Sequence, residues 1–263
     1  MSYFIQDKYS KYLYRYGSGW SGNYESWQDA MKDCTGYDDP SITEKVLSSI
    51  LATKDQSDRY ERDTSIIEGT PDFAFSSLRW IKSFAKDNKI NLVDFGGSLG
   101  SSFFQLKPFL DDYSVSWNIV EQAHVAVVGK SKLENDQLKF FSNIQNIPNA
   151  SSISTFFSSS AIQYLQDPYK VLHDLNLGRF NYLIFDRLSV LESDKDRLTI
   201  QVVPKKRYKA IYPCWFLSKK KFLNYLNELG FILIDSFSAL GGNIATRSIP
   251  RSEYRAFILE KNM

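Results

Sequence analysis

At 263 residues the chain is long enough to bury one principal domain with an extension or insertion. Hydrophobic residues make up 43% and charged residues 24%, an ordinary globular balance that argues against wholesale disorder and against a membrane class. The 32 basic and 30 acidic residues leave a formal charge of +2, too small to imply a nucleic-acid partner.

Cys34 and Cys214 are the only cysteines, far apart in sequence, so neither a disulfide framework nor a cysteine-rich metal site is indicated. No apolar signal core follows Met1 and no apolar run is long enough to cross a bilayer, so the chain reads as cytosolic. The short basic clusters Lys205-Lys206-Arg207 and Lys219-Lys220-Lys221 read as solvated faces.

Residues 1–75 are dense in polar and aromatic side chains, among them Tyr9, Tyr12, Tyr14, Tyr16, Trp20, Tyr24, Trp27 and Tyr37. Without sustained strand alternation they read as a mostly helical extension or lid. Ser41 precedes Glu44 by the spacing of a capping box, predicting a helix through about Leu51. A second helix is expected near Asp72 to Lys86.

From Ile90 the pattern changes to short apolar runs separated by helical or polar stretches: Ile90 to Phe95, Val115 to Glu121, Ser152 to Phe157 and Tyr182 to Asp186, with Leu138 to Phe141 as a further short strand. This alternation predicts an α/β domain over residues 76–263, a Rossmann-like parallel sheet covered by helices. Leu188 to Trp215, containing Pro204 and Pro213, reads as irregular, an inserted substrate loop. Phe231 to Phe237 and Tyr254 to Glu260 read as a closing pair of strands.

The segment Val93-Asp94-Phe95-Gly96-Gly97-Ser98-Leu99-Gly100 joins a strand end to a helix beginning at Ser101. Glycines at that junction let the backbone turn closely around a ligand, and the helix start offers unpaired N–H groups to an anion. A dinucleotide frame G-x-G-x-x-G starting at Gly96 would need glycine at Ser98 and Ser101, so that spacing fails. The frame D-x-G-x-G-x-G of S-adenosylmethionine sites is met at Asp94, Gly96 and Gly100, with Ser98 in place of the middle glycine. In this reading the helix start receives the methionine carboxylate and Asp94 meets the ammonium, directly or through water. Glu121, ending the next strand, offers a carboxylate to both ribose hydroxyls.

Several separated blocks resemble a family of bacterial methyltransferases associated with surface-polysaccharide biosynthesis. They are Trp20-Ser21-Gly22-Asn23-Tyr24 with Trp27 and Gly36-Tyr37-Asp38, the Asp94–Gly100 loop, Trp117 with Val120-Glu121-Gln122, Ser159 to Pro168, Phe185-Asp186-Arg187, Gln201-Val202-Val203-Pro204 and Tyr212-Pro213-Cys214-Trp215. The resemblance implies a class I methyltransferase fold using S-adenosylmethionine and O-methylation of a carbohydrate or nucleotide-linked sugar. On the same likeness Gln122 and Ser159 border the cofactor, and Tyr164 stands on the acceptor side. Ser159 also has a simpler reading, as a helix cap.

Methyl transfer to an unactivated alcohol needs alignment and removal of a proton. Asp186, at the end of an apolar strand, is the first candidate base, with Arg187 placed to orient the acceptor or simply to pair with Asp186. His124, just past Glu121, is the second candidate. Tyr212 and Trp215 offer aromatic surface to a sugar, with core packing as the competing explanation. No metal is expected, because no short metal-binding motif is present, although scattered oxygen ligands leave a magnesium-assisted route open. A cofactor-binding but inactive interaction protein and an NAD-dependent oxidoreductase remain the alternative readings.

Overall fold

The computed structural model describes residues 19–36, 40–71, 75–203, 210–243, 249 and 251–262; Tyr9 to Tyr16, Tyr37, Asp38 and Pro204 lie outside that range. The extension contributes β1 (Gly19–Tyr24), α1 (Trp27–Lys32), α2 (Pro40–Thr53), a hairpin of β2 (Arg59–Arg62) and β3 (Ser65–Glu68), and α3 (Phe75–Ser83). The two helices expected near Ser41 to Leu51 and before Lys86 are α2 and α3, but α2 already begins at Pro40, so Ser41 lies inside the helix rather than at its cap. The three strands are additional. β2 and β3 turn through Asp63 and Thr64, both left-handed, a turn whose twist matches a tight hairpin but which lacks the usual Asn-Gly signal.

The sheet that follows is built from β4 (Lys89–Phe95), β5 (Ser114–Val120), β6 (Leu138–Phe141), β7 (Thr155–Ser159) and β8 (Tyr182–Leu191), all parallel, in the order β6-β5-β4-β7-β8. Their apolar runs are consecutive because both faces are covered. Leu92, Phe157 and Ile184 enter one buried cluster, whereas Val93, Phe156 and Phe185 enter the other. Successive residues of each strand thus divide between two cores, the arrangement of a sheet sandwiched by helices.

Helices α4 (Ser101–Leu106), α5 (Ala123–Lys132) and α6 (Pro168–Asp174) follow β4, β5 and β7. The chain closes with β9 (Arg197–Val202), β10 (Ile211–Ser218), α7 (Lys219–Glu228), β11 (Phe231–Asn243) and β12 (Ser252–Lys261). β12 lies antiparallel between β8 and β11, completing the terminal pair. The α/β, Rossmann-like class expected from the alternation is therefore the one observed. No described helix is long and apolar enough to cross a membrane.

The region expected to be irregular is mostly strand. β9 pairs antiparallel with both β10 and β1, and β10 touches the main sheet only where Leu217 and Ser218 meet Val190 and Leu191. Pro213 falls where β9 is the one neighbour of β10, so its missing N–H leaves one edge without a donor rather than breaking a central ladder. Trp20, on β1, packs edge-on to Phe216 and Tyr254, so part of the aromatic extension is packing. The Lys219–Lys221 run is neutralised: Lys219 pairs with Glu192 at 2.9 Å, Lys220 with Asp194 at 2.8 Å and Lys221 with Asp196.

Gly129 on α5 sits against Phe140 of β6; a Cβ there would stand 2.4 Å from the ring. Glycine to alanine in a helix ordinarily stabilises by about 1 kcal/mol. Here Gly129→Ala is expected to destabilise by roughly 1–3 kcal/mol through overpacking, read as a lower urea midpoint.

Candidate functional site

The order in which successive strands are added reverses between β4 and β7: β5 and β6 lie on one side of β4, and β7 and β8 lie on the other, all parallel. In open α/β sheets ligands bind outside the carboxyl ends of the strands at such a switch point. A cavity of about 440 Å³ opens there, between the loop after β4, the ends of β7 and β8, the β2–β3 hairpin, α1 and β10. That volume suits a small-molecule ligand.

The β4 loop owes its shape to what it lacks. A Cβ on Gly97 would stand 2.6 Å from the Asp94 carboxyl, and one on Gly96 (φ 71°) would stand 2.3 Å from Cβ of Ala161. Ser98, where a glycine stands in the frame, takes the left-handed conformation itself (φ 52°). Such a residue carries backbone strain of about 1–2 kcal/mol and needs surroundings that hold it there. Its N–H donates to Glu121 Oε2 at 3.2 Å, while the Gln122 N–H donates to Oε1 at 2.8 Å. Glu121 therefore bridges the loops after β4 and β5, with both oxygens oriented by main-chain donors. Burial raises its pKa against the pull of those two N–H groups.

Asp94 is turned away from the cavity. Its carboxyl lies under Gly97, 1% exposed, and accepts the indole N–H of Trp117 at 2.8 Å. Burial pushes its pKa up to about 7, with the Trp117 bond opposing and the Glu121 charge adding to the rise.

On the far side of the switch point, Ser159 donates to Asp186 Oδ2 at 3.3 Å and accepts from Arg187 Nε at 3.1 Å. Burial raises the Asp186 pKa even though Arg187 lies beside it. Arg187 (φ 49°) and Ser160 (φ 57°) are also left-handed. Buried Gln163 ties them together, its amide donating to the Ser160 hydroxyl and to the Arg187 carbonyl. The Tyr164 hydroxyl donates to Gln201 at 2.8 Å, and its ring meets Tyr212 edge-on at 5.2 Å, which anchors β9 and β10 to the site.

Of the residues expected at the site, Gly96, Gly97, Gln122, Ser159, Tyr164, Asp186, Arg187 and Tyr212 line the cavity together. Asp94 and Gly100 do not line it: Asp94 lies beneath Gly97, and the Gly100 N–H closes the loop on the Gly97 carbonyl at 3.0 Å. Glu121 is half-buried beside the cavity, reaching the lining residue Ser98 through its hydrogen bond. His124 is exposed on α5 and does not line the cavity. Trp215 packs away from it, donating its indole N–H to the Leu165 carbonyl at 3.1 Å. Trp27 and Met31 of α1 line it, bringing the extension to the site.

Glu61, from the β2–β3 hairpin, was not apparent in the sequence. It is 4% exposed yet lines the cavity; its carboxylate accepts from the Ser101 hydroxyl and, at 2.9 Å, from the Thr64 N–H. The one signal for it was a pair of four-residue strands around Asp63-Thr64, too short to stand out from the polar extension. Among the described residues no group of three or more His, Cys, Asp and Glu side chains is arranged to hold a metal ion.

No protein-family model matches the chain, and no curated protein matches it. Solved structures similar to it include a glycopeptide N-methyltransferase complexed with S-adenosylmethionine, at 10% identity and TM-score 0.49 over 72% of this chain and 87% of that one. A second is an S-adenosylmethionine-dependent methyltransferase from Clostridium acetobutylicum, at 10% identity and TM-score 0.47 over 73% and 90%. A third is the 1,6-didemethyltoxoflavin-N1-methyltransferase of Burkholderia thailandensis, at 10% identity and TM-score 0.46 over 92% and 93%. At this level of similarity the acceptors and chemistry named for those proteins do not transfer to this one.

The Asp94 environment has a measurable sign. A folded-state pKa raised from 3.8 to about 7 stabilises fully below pH 3.8 and loses that contribution as pH rises through about 7. Asp94→Asn keeps an oxygen for Trp117 and cannot ionise. Relative to this variant, the wild-type chain is expected to lose stability steadily between about pH 4 and 7, measured by urea unfolding at each pH; parallel curves would contradict the assignment.

Proposed function

We propose that this chain is an S-adenosylmethionine-dependent methyltransferase acting on a hydroxyl of a carbohydrate or nucleotide-linked sugar, in the cytoplasm, in surface-polysaccharide biosynthesis. The observation that carries the reading is the Glu121 carboxylate, held by the Ser98 and Gln122 N–H groups at the rim of a glycine loop at the switch point. A carboxylate oriented in this way keeps lone pairs for the two hydroxyls of a ribose. The failed dinucleotide spacing weighs against a nicotinamide cofactor.

The site's own features fit the methyl donor. Gly96 and Gly97 let the loop pack directly on Ala161 and the Asp94 carboxyl, where an added Cβ would collide, and so hold it in the turn that lines the cavity. When bound, S-adenosylmethionine supplies an electrophilic methyl group. Gln122 and Ser159 line opposite sides of the loop and border the cofactor, Glu121 holds the ribose, and the backbone from Gly96 to Ser98 supports the chain between them.

In this reading Asp186 removes the acceptor's proton. Burial raises its pKa, which makes its carboxylate a stronger base than an exposed aspartate, and Ser159 orients it through Oδ2. Arg187 is fixed at Nε by Ser159 and lies on the cavity wall, in place to orient the acceptor. Tyr164 and Tyr212, packed edge-on, offer aromatic surface to a sugar ring. Trp215 supports that wall from behind, and the N-terminal segment carrying Trp27 serves as the lid.

Calorimetry with S-adenosylmethionine, S-adenosylhomocysteine and NAD, followed by an acceptor screen with labelled methyl donor, tests the reading; selective NAD binding would overturn it. With an acceptor in hand, Asp186→Asn is expected to lower kcat by about 10²–10⁴-fold while leaving S-adenosylhomocysteine affinity within about twofold. His124→Ala is expected to leave both unchanged. A large kcat loss in the His124 variant instead would move the base to the other loop.

A further inference from the structure

The amino-acid end of the proposed cofactor carries an ammonium, and the acid expected to meet it, Asp94, is committed elsewhere: it is buried beneath Gly97 and bonded to Trp117. Another carboxylate stands at the cavity. Glu61 reaches from β2 to Ser101, the first residue of α4, and is pinned there at two levels. Its side chain takes the Ser101 hydroxyl and the Thr64 N–H, and its main-chain carbonyl accepts from Gln105 Nε2 at 2.7 Å.

Glu61 is nearly inaccessible from outside, and among the described residues no lysine or arginine nitrogen lies within ion-pair distance of it. A buried carboxylate held only by neutral donors is costly compared with one that meets a cation. The nearby charges do not supply one: Asp63 adds repulsion, and Arg187 acts from a distance while held at Nε by Ser159. Neutral glutamine could satisfy the same main-chain donor, so a purely structural role gives no reason for a charge at this position. What the position lacks is a cation that arrives with the ligand.

We propose that Glu61 is the binding residue for the α-ammonium of the cofactor's amino-acid end, an assignment that rests on the methyl-donor reading above. Glu121 and Glu61 then mark the two ends of the ligand. Glu121 is tied to Ser98 and receives the ribose; Glu61 is tied to Ser101 and receives the ammonium, with the loop between them supporting the intervening chain. The N-terminal hairpin thereby becomes part of the cofactor site rather than a cover over it.

The test is calorimetric, on the full chain, with two probes that differ at one end. S-adenosylhomocysteine carries the amino-acid group; 5′-methylthioadenosine keeps the adenosine and lacks it. Glu61→Gln is expected to weaken S-adenosylhomocysteine by on the order of tenfold to a hundredfold while changing 5′-methylthioadenosine by less than about twofold. Equal losses for both probes, or no loss for S-adenosylhomocysteine, would overturn the assignment. If neither probe binds the wild-type chain, the methyl-donor reading itself fails and takes this assignment with it. Should Glu61→Gln not unfold cooperatively, Ser101→Ala, which removes the anchor and keeps the charge, takes its place. A selective loss for S-adenosylhomocysteine supports the assignment, and an equal loss for both probes rejects it.

Discussion

Gly97 can rest on the Asp94 carboxyl because it has no side chain, and the rest of the site depends on that contact. A Cβ there would stand 2.6 Å from the acid. With the acid folded beneath the loop and bonded to Trp117, the end of β4 is tied to the middle of β5 by a buried polar pair. Such a pair is acceptable in a core only when its donor and acceptor find each other. The loop above it is then free to present main-chain N–H groups outward. One of them, that of Ser98, fixes Glu121 on the neighbouring strand.

The same logic extends across the switch point. Ser98, Ser160 and Arg187 are non-glycine residues in the left-handed region around one cavity. Each is held by neighbours: Ser98 by Glu121, Ser160 by the Asp186 carbonyl and Gln163, and Arg187 by Gln163 and Ser159. Local strain of this kind persists where the surroundings over-determine the backbone, and it gathers where side chains must be aimed. The strands supply that determination. Parallel pairing of β7 with β8 sets Ser159 beside Asp186 in register, so the serine–acid pair follows from the sheet itself.

Much of this was legible in the sequence for a simple reason: strands buried on both faces are written as unbroken apolar runs, and a glycine loop between such a run and a helix has few other uses. Asp94, Gly96, Gly97 and Glu121 stand out by those signals. The direction of the Asp94 side chain was not legible, because it depends on Trp117, 23 residues further on. Nor was the β1–β9–β10 unit, whose pairing joins residues about 180 positions apart, such as Gly19 with Val202, and whose Pro213 mimics a loop signal. Glu61 was hidden for a related reason. Its meaning lies in a contact with Ser101, 40 residues away, and nothing local to a short polar hairpin announces that.

In the proposed site the loop from Gly96 to Ser101 and the carboxylate of Glu121 form one ligand-binding surface, with the ribose at one end. A crystal structure of the chain with S-adenosylhomocysteine tests this most directly. Both ribose hydroxyls are expected within hydrogen-bonding distance of Glu121, with the amino-acid end lying over Gly97 toward Ser101. A ligand seated elsewhere, or a ribose turned away from Glu121, would contradict it.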